Sequence, residues 1–133
     1  MRATSSSLLV LLALAGCGTS DDRDQARTVV ERFYDAVRED RGEDACAELS
    51  EAAVEQLEGQ TSQGCPAVVT RLDYTGGAIV DAHVYVSNAK VDLSTGESAF
   101  LNRGPTGWKL SAIACKPEDG SPHDVPLDCE VEA

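Results

Sequence analysis

Gly76-Gly77-Ala78-Ile79-Val80-Asp81-Ala82-His83-Val84-Tyr85-Val86 is the stretch in which the chain changes its period. From Ile79 onward, Val80, Ala82, Val84 and Val86 alternate with Ile79, Asp81, His83 and Tyr85, the two-residue repeat of a strand with one buried face. Ser87-Asn88 turns this strand into Ala89 to Leu93, and Ser94-Thr95-Gly96 turns that into Glu97 to Arg103. Gly104-Pro105-Thr106-Gly107 then leads into Trp108 to Cys115. The expectation is a meander of four antiparallel strands, followed by an irregular, Pro-rich and acidic tail from Lys116 to Ala133.

On the N-terminal side of Gly76 the period is helical. Between Asp24 and Val37 the apolar residues Ala26, Val29, Val30, Phe33, Tyr34 and Val37 recur at i, i+3, i+4, i+7, one stripe of an amphipathic helix. Arg27, Glu31, Arg32, Asp35 and Arg38 fall largely on the other side and read as a solvated face. Glu43 to Leu49 suits a short helix, Ser50 can cap a second from Glu51 to Leu57, and Gln60 to Gly64 reads as a loop. Pro66 fits the first turn of a third helix running to about Leu72. Helices first and strands afterwards give an α+β class: N-terminal helices packed on the concave face of a curved four-stranded antiparallel sheet.

The chain opens with Met1-Arg2, a positive start, then the apolar run Leu8-Leu9-Val10-Leu11-Leu12-Ala13-Leu14-Ala15 and small residues. That run is too short for a bilayer helix, which takes about 20 residues. Leu14-Ala15-Gly16-Cys17 is similar to the bacterial lipobox, in which a cysteine thiol receives diacylglycerol before cleavage ahead of it. The expected organisation is a leader over 1–16, a lipidated polar tether over 17–24 and one α+β domain over 25–133. The expected address is the extracytoplasmic side of the cell membrane. Lys and Arg total 11 against 23 Asp and Glu, a formal charge of -12, so phosphate-rich partners are repelled and no nucleic acid is expected. The same charge disfavours adhesion to anionic headgroups and leaves attachment to the acyl chains. With 42% apolar residues the chain is not disordered.

Five cysteines are odd in number; giving Cys17 to lipid leaves Cys46, Cys65, Cys115 and Cys129, for which three pairings exist. Locality favours Cys46–Cys65, bracketing the short helices, and Cys115–Cys129, bracketing the tail. Bridges closing such loops contribute about 3 kcal/mol each in the chain-entropy model. There is no Cys-x-x-Cys, and His83 and His123 lack ligand spacing, so neither metal nor cofactor is expected.

Several strings resemble small actinobacterial lipoproteins of uncharacterised function: Val30-Glu31-Arg32-Phe33-Tyr34-Asp35-Ala36-Val37, Cys46 with Leu49-Ser50, Trp108-Lys109-Leu110-Ser111-Ala112, Cys115-Lys116-Pro117 and Asp128-Cys129-Glu130-Val131-Glu132. Those in turn resemble the nuclear-transport-factor-two-like (cystatin-like, SnoaL-like) superfamily. The resemblance runs from about Gln25 to the C-terminus and implies a cone-shaped fold whose helices wrap a strongly curved sheet. In other branches of that superfamily the conical pocket hosts isomerases, dehydratases, epoxide hydrolases and polyketide cyclases. Fold does not carry function across such branches.

Candidates for acid/base work are Tyr34, Asp35, Asp73, Tyr74, Asp81, His83 and Tyr85; Tyr34, His83 and Tyr85 are the candidate pocket residues, although His83 and Tyr85, opposite the apolar Val80-Ala82-Val84-Val86 row, read first as the solvated face of their strand. No complete catalytic signature maps onto the chain, so no catalytic residue is assigned. The leading expectation is a non-catalytic binding or accessory module for a small apolar ligand or a protein partner. The alternatives are a pocket enzyme of isomerase, hydrolase or cyclase type acting on a small apolar molecule, and a homodimer formed through the open sheet.

Overall fold

Helix α1 (Thr19–Arg38) converts the helical repeat into a buried stripe of Ala26, Val29, Val30, Phe33, Tyr34 and Ala36. The computed structural model describes residues 19–117 and 127–133. The leader over 1–16 and Cys17 lie outside them. The helix begins at Thr19, so the polar stretch 19–24 is its first turns and not a flexible tether. Asp21 and Asp22 offset the positive end of the helix dipole, and Asp22 also pairs with Arg103.

Three short helices follow, α2 (Gly42–Glu48), α3 (Glu51–Thr61) and α4 (Cys65–Val68), with a 3-10 turn at Val69–Arg71. The Ser50 hydroxyl caps α3 as expected, accepting from the Ala53 N–H at 3.1 Å. Helix α3 runs on to Thr61, into the expected loop, and closes with Ser62 at φ 55. Arg32 grips Glu48 in a two-pronged ion pair (Nε to Oε1 2.8 Å, Nη2 to Oε2 3.0 Å), fixing α1 to α2. The Cys46–Cys65 disulfide, with Cα atoms 6.2 Å apart, fixes α2 to α4.

The expected meander forms as β1 (Ile79–Tyr85), β2 (Asn88–Leu93), β3 (Ser98–Gly104) and β4 (Gly107–Pro117), each antiparallel to the next. The sheet does not stop at four strands. Two strands from the tail, β5 (Leu127–Asp128) and β6 (Val131–Glu132), both pair with β4, giving six. The described part of the tail is therefore regular and not a loose end. Without it β4 would be an edge with unpaired N–H and C=O groups; the Cys115–Cys129 disulfide brings 127–132 alongside to pair with them. The N–H of Glu130 donates to the Ile113 carbonyl at 3.1 Å and that of Ala133 to Ser111 at 2.9 Å.

The core lies between the helices and one sheet face, with Phe33, Leu57, Val69, Val91, Leu101, Leu110, Ile113 and Val131 fully buried. The helical layer is stitched to the sheet where the Ser50 N–H donates to the Leu110 carbonyl at 2.8 Å. Strand β1 departs from the expected alternation. Ala82 is buried and Val84 half-buried, but Val80 is 60% and Val86 93% exposed. A register slip between Ile79 and Asp81 makes Val80 the extra residue of a bulge, so Ile79 packs on the core instead. Val86 has left the strand altogether and stands in the two-residue hairpin loop with Ser87.

Candidate functional site

The most specialised chemistry in the fold gathers around Glu97, the residue before β3. Strand periodicity running back from Leu101 and Ala99 turns the Glu97 side chain inward, and it is 0% exposed. Such a carboxylate is costly to bury unless its oxygens are satisfied. Here they are: Oε1 accepts from the Thr75 N–H at 2.7 Å, while Oε2 accepts from the Gly76 N–H at 3.0 Å and the Tyr34 hydroxyl at 3.1 Å. Lys116 Nζ stands 3.5 Å from Oε1. The two successive N–H groups make an anion-holding nest, and Gly76 enters it at φ 66, where a side chain would be strained.

Aromatic rings wall this site. Phe33, Tyr34 and Tyr74 meet edge to face, with centroids 5.4, 5.6 and 6.1 Å apart. Helix α1 supplies the first two rings and the segment after the 3-10 turn supplies the third. Burial pushes the Glu97 carboxyl up, but the hydrogen bonds from Thr75, Gly76 and Tyr34 outweigh it and hold the group below the ordinary glutamate range. Burial, then the Glu97 charge and its hydrogen bond, push the Tyr34 phenol far above the ordinary tyrosine range. Burial, then Glu130 and Glu97, raise Tyr74 as well, and its buried hydroxyl has no hydrogen-bond partner among the described residues. At neutral pH the arrangement is an ionised carboxylate facing a tyrosine that keeps its proton. That suits holding α1, β3 and the 75–76 segment together; a general acid would need a raised carboxyl, and a general base an open path to substrate.

The candidate pocket trio is not brought together, and His83 and Tyr85 take the solvated face read for them from the sequence. Tyr34 is on the core side, whereas His83 and Tyr85 lie exposed on the far face of β1, their rings stacked 6.3 Å apart. Alternation along β1 separates them from the helices, because Ala82 and Val84 take the inward positions. Asp81 joins them: its Oδ2 is 3.0 Å from His83 Nε2, and its Oδ1 accepts from the Ala82 N–H at 2.8 Å. Asp35 pairs with Arg38 on the surface, and Asp73 is exposed. Tyr74 does converge with Tyr34. Glu97, which holds the Tyr34 hydroxyl but makes no hydrogen bond to Tyr74, was not among the sequence candidates, although its two-residue spacing from Ala99 and Leu101 marks the inward face.

An open groove of about 550 Å³ lies where Phe100, Asn102 and Ala112 meet Leu127, Cys129 and Glu132 of the tail. No group of three His, Cys, Asp or Glu suited to a metal ion occurs among the described residues. Neither protein-family models, nor curated proteins, nor solved structures yield a match to this chain.

Proposed function

We propose that the chain is an extracytoplasmic lipoprotein, tethered through acyl groups on Cys17, whose folded domain is a non-catalytic binding or accessory module. The observation that carries this reading is the pairing of Cys46 with Cys65 and Cys115 with Cys129, which uses four of the five cysteines and leaves Cys17 outside both bonds. Disulfides persist in oxidising compartments, so paired cysteines support export, and the leader ending in Leu14-Ala15-Gly16-Cys17 supplies the route. No helix among the described residues is long and apolar enough to cross a membrane. The mixed apolar and amide lining of the groove at Phe100, Asn102 and Ala112 fits a small amphipathic ligand. The cone-like form of the sheet belongs to this proposal; the register slips in β1 and β3, which bend and twist strands, support it.

A second reading, a pocket enzyme, has Glu97 and Tyr34 in its favour, a buried carboxylate beside a phenol. Both Glu97 oxygens are already engaged and Tyr34 holds its proton firmly, which weighs for the accessory role. Cell fractionation with mass analysis of the mature N-terminus tests the leading reading. The wild-type protein is expected in the membrane fraction with an acylated Cys17, and the Cys17→Ser protein outside it. A Cys17→Ser product still in the membrane with its leader removed would overturn the anchor.

A further inference from the structure

We propose that the end of the molecule formed by the β1–β2 and β3–β4 loops lies against the bilayer, with Val86 entering the interfacial layer as a second lipid contact beside the acyl chains. This rests on the lipoprotein reading above.

The start of α1 and both hairpin loops occupy the same end of the fold. Asp22, in the first turn of α1, pairs with Arg103, and the Arg103 N–H donates at 2.8 Å to the carbonyl of Ser87, the neighbour of Val86. Asp24, Gln25 and Thr28 of α1 share a groove with Thr106 and Gly107 of the second loop. Cys17 precedes Thr19 by two residues, a span of at most about 7 Å even when fully extended. A lipid on Cys17 therefore brings this end, and no other, to the membrane surface.

The residues found there suit that surface. Val86 is 93% exposed and sits at φ 54, a backbone conformation that a β-branched side chain rarely adopts. Strain of this kind persists where the surroundings or a function hold it, and here it projects an apolar side chain from the tip of a hairpin. Tyr85 beside it is 60% exposed, and tyrosine is at home at the headgroup level. The chain has 23 acidic residues, yet none falls in 85–88 or in 102–107, where Arg103 is the only charged side chain. The two loops thus add no repulsion toward anionic headgroups; the acids at this end are Asp21, Asp22 and Asp24 of α1, of which Asp22 is paired with Arg103. One valine is too small to hold a protein on a bilayer. Acting within reach of an existing anchor, it needs only to set the orientation.

The test uses the acylated protein extracted from membranes and reconstituted into phosphatidylcholine–phosphatidylglycerol vesicles containing bromine-labelled phosphatidylcholine, which quenches tryptophan at the interface. The reporters are Val86→Trp and Ser87→Trp, with Val80→Trp as reference, six residues and about 20 Å away along β1. The native Trp108 is buried but lines the same groove as Thr106 and Gly107, so the quenching of the wild-type protein is measured in parallel and subtracted. Loss of most of the added emission at position 86 or 87, with little loss at 80, is the expected result. Ser87→Trp serves if Val86→Trp fails to reach the wild-type melting temperature. Equal quenching at both ends, or none at 86 and 87, overturns the proposal, as does a blue shift at 86 that depends on protein concentration in lipid-free detergent and so reports a second copy. Mass analysis of Cys17 in the same samples separates the two layers. Acylated protein without quenching removes only the lipid contact, whereas an unacylated Cys17 removes both.

Discussion

Two clusters in this molecule are made of nearly the same parts. Around Glu97 there are a carboxylate, tyrosines and a lysine; on the outer face of β1, Asp81, His83 and Tyr85 supply a carboxylate, an imidazole and a phenol. Their environments are opposite. Glu97 is sealed in and its two oxygens together are engaged from α1, the 75–76 segment and β4, while Asp81 and His83 are neighbours on one strand and stay open to water. The inner carboxylate is a tertiary joint and the outer pair is local. Composition alone does not distinguish a joint from a decorated surface; what does is how many distant groups lose their partner when one side chain is removed.

That difference is open to test by substitution. Glu97→Ala leaves the buried Gly76 N–H and Tyr34 hydroxyl, and the part-buried Thr75 N–H, without their acceptor, and each orphan that water cannot reach costs about 1–3 kcal/mol. A loss of roughly 3 kcal/mol or more in urea unfolding is expected; a loss within the noise of a surface change would dissolve the contrast between the clusters. Acid should act through the same group more gently. The Glu97 carboxyl titrates below its ordinary range when folded, so its stabilisation is present above the unfolded glutamate value of about 4.3 and is lost as pH falls through the folded value. Urea midpoints of wild type and Glu97→Gln should therefore converge on acidification below about pH 4; a constant gap would mean the charge state of Glu97 is irrelevant.

Tyr34→Phe keeps the ring and removes one hydrogen bond to a charged acceptor, for an expected cost of about 1.5 kcal/mol. If its melting temperature matches wild type, the phenol is a passive neighbour. The outer cluster should yield the smallest effect: His83→Ala, on an exposed strand face, is expected to shift stability by less than about 0.5 kcal/mol. Its exposed Asp81 contact is worth little in water. Complementation by His83→Ala at wild-type abundance should be intact, and its loss would move this face from decoration to function.

The parts legible in the sequence were those governed by local rules. The stripe from Ala26 to Tyr34, the Ser50 cap and the four-strand meander each follow from spacing or turn chemistry within a few residues. The tail strands were not legible, because Leu127–Asp128 and Val131–Glu132 are too short to show a period and owe their pairing to the crosslink and to the free side of β4. The extra residue at Val80 was hidden for a related reason: alternation continues across a bulge in the sequence while the backbone shifts its phase. The Glu97 site depends on residues 21, 22 and 63 positions away, and only the inward phase shared with Ala99 and Leu101 hinted at it.

The two disulfides join each cysteine to its nearest neighbour in the chain, at separations of 19 and 14 residues. With Cys17 taken by lipid, as proposed above, a polypeptide that threads out of a translocation pore N-terminus first presents Cys46 and then Cys65 as its free thiols before either of the later two cysteines emerges. An oxidase acting on thiols in the order of their arrival would therefore make both native bonds without proofreading. Mixed or scrambled pairings arise only if the whole chain is released reduced, so this pattern predicts maturation that depends on a dithiol oxidant and is indifferent to a disulfide isomerase.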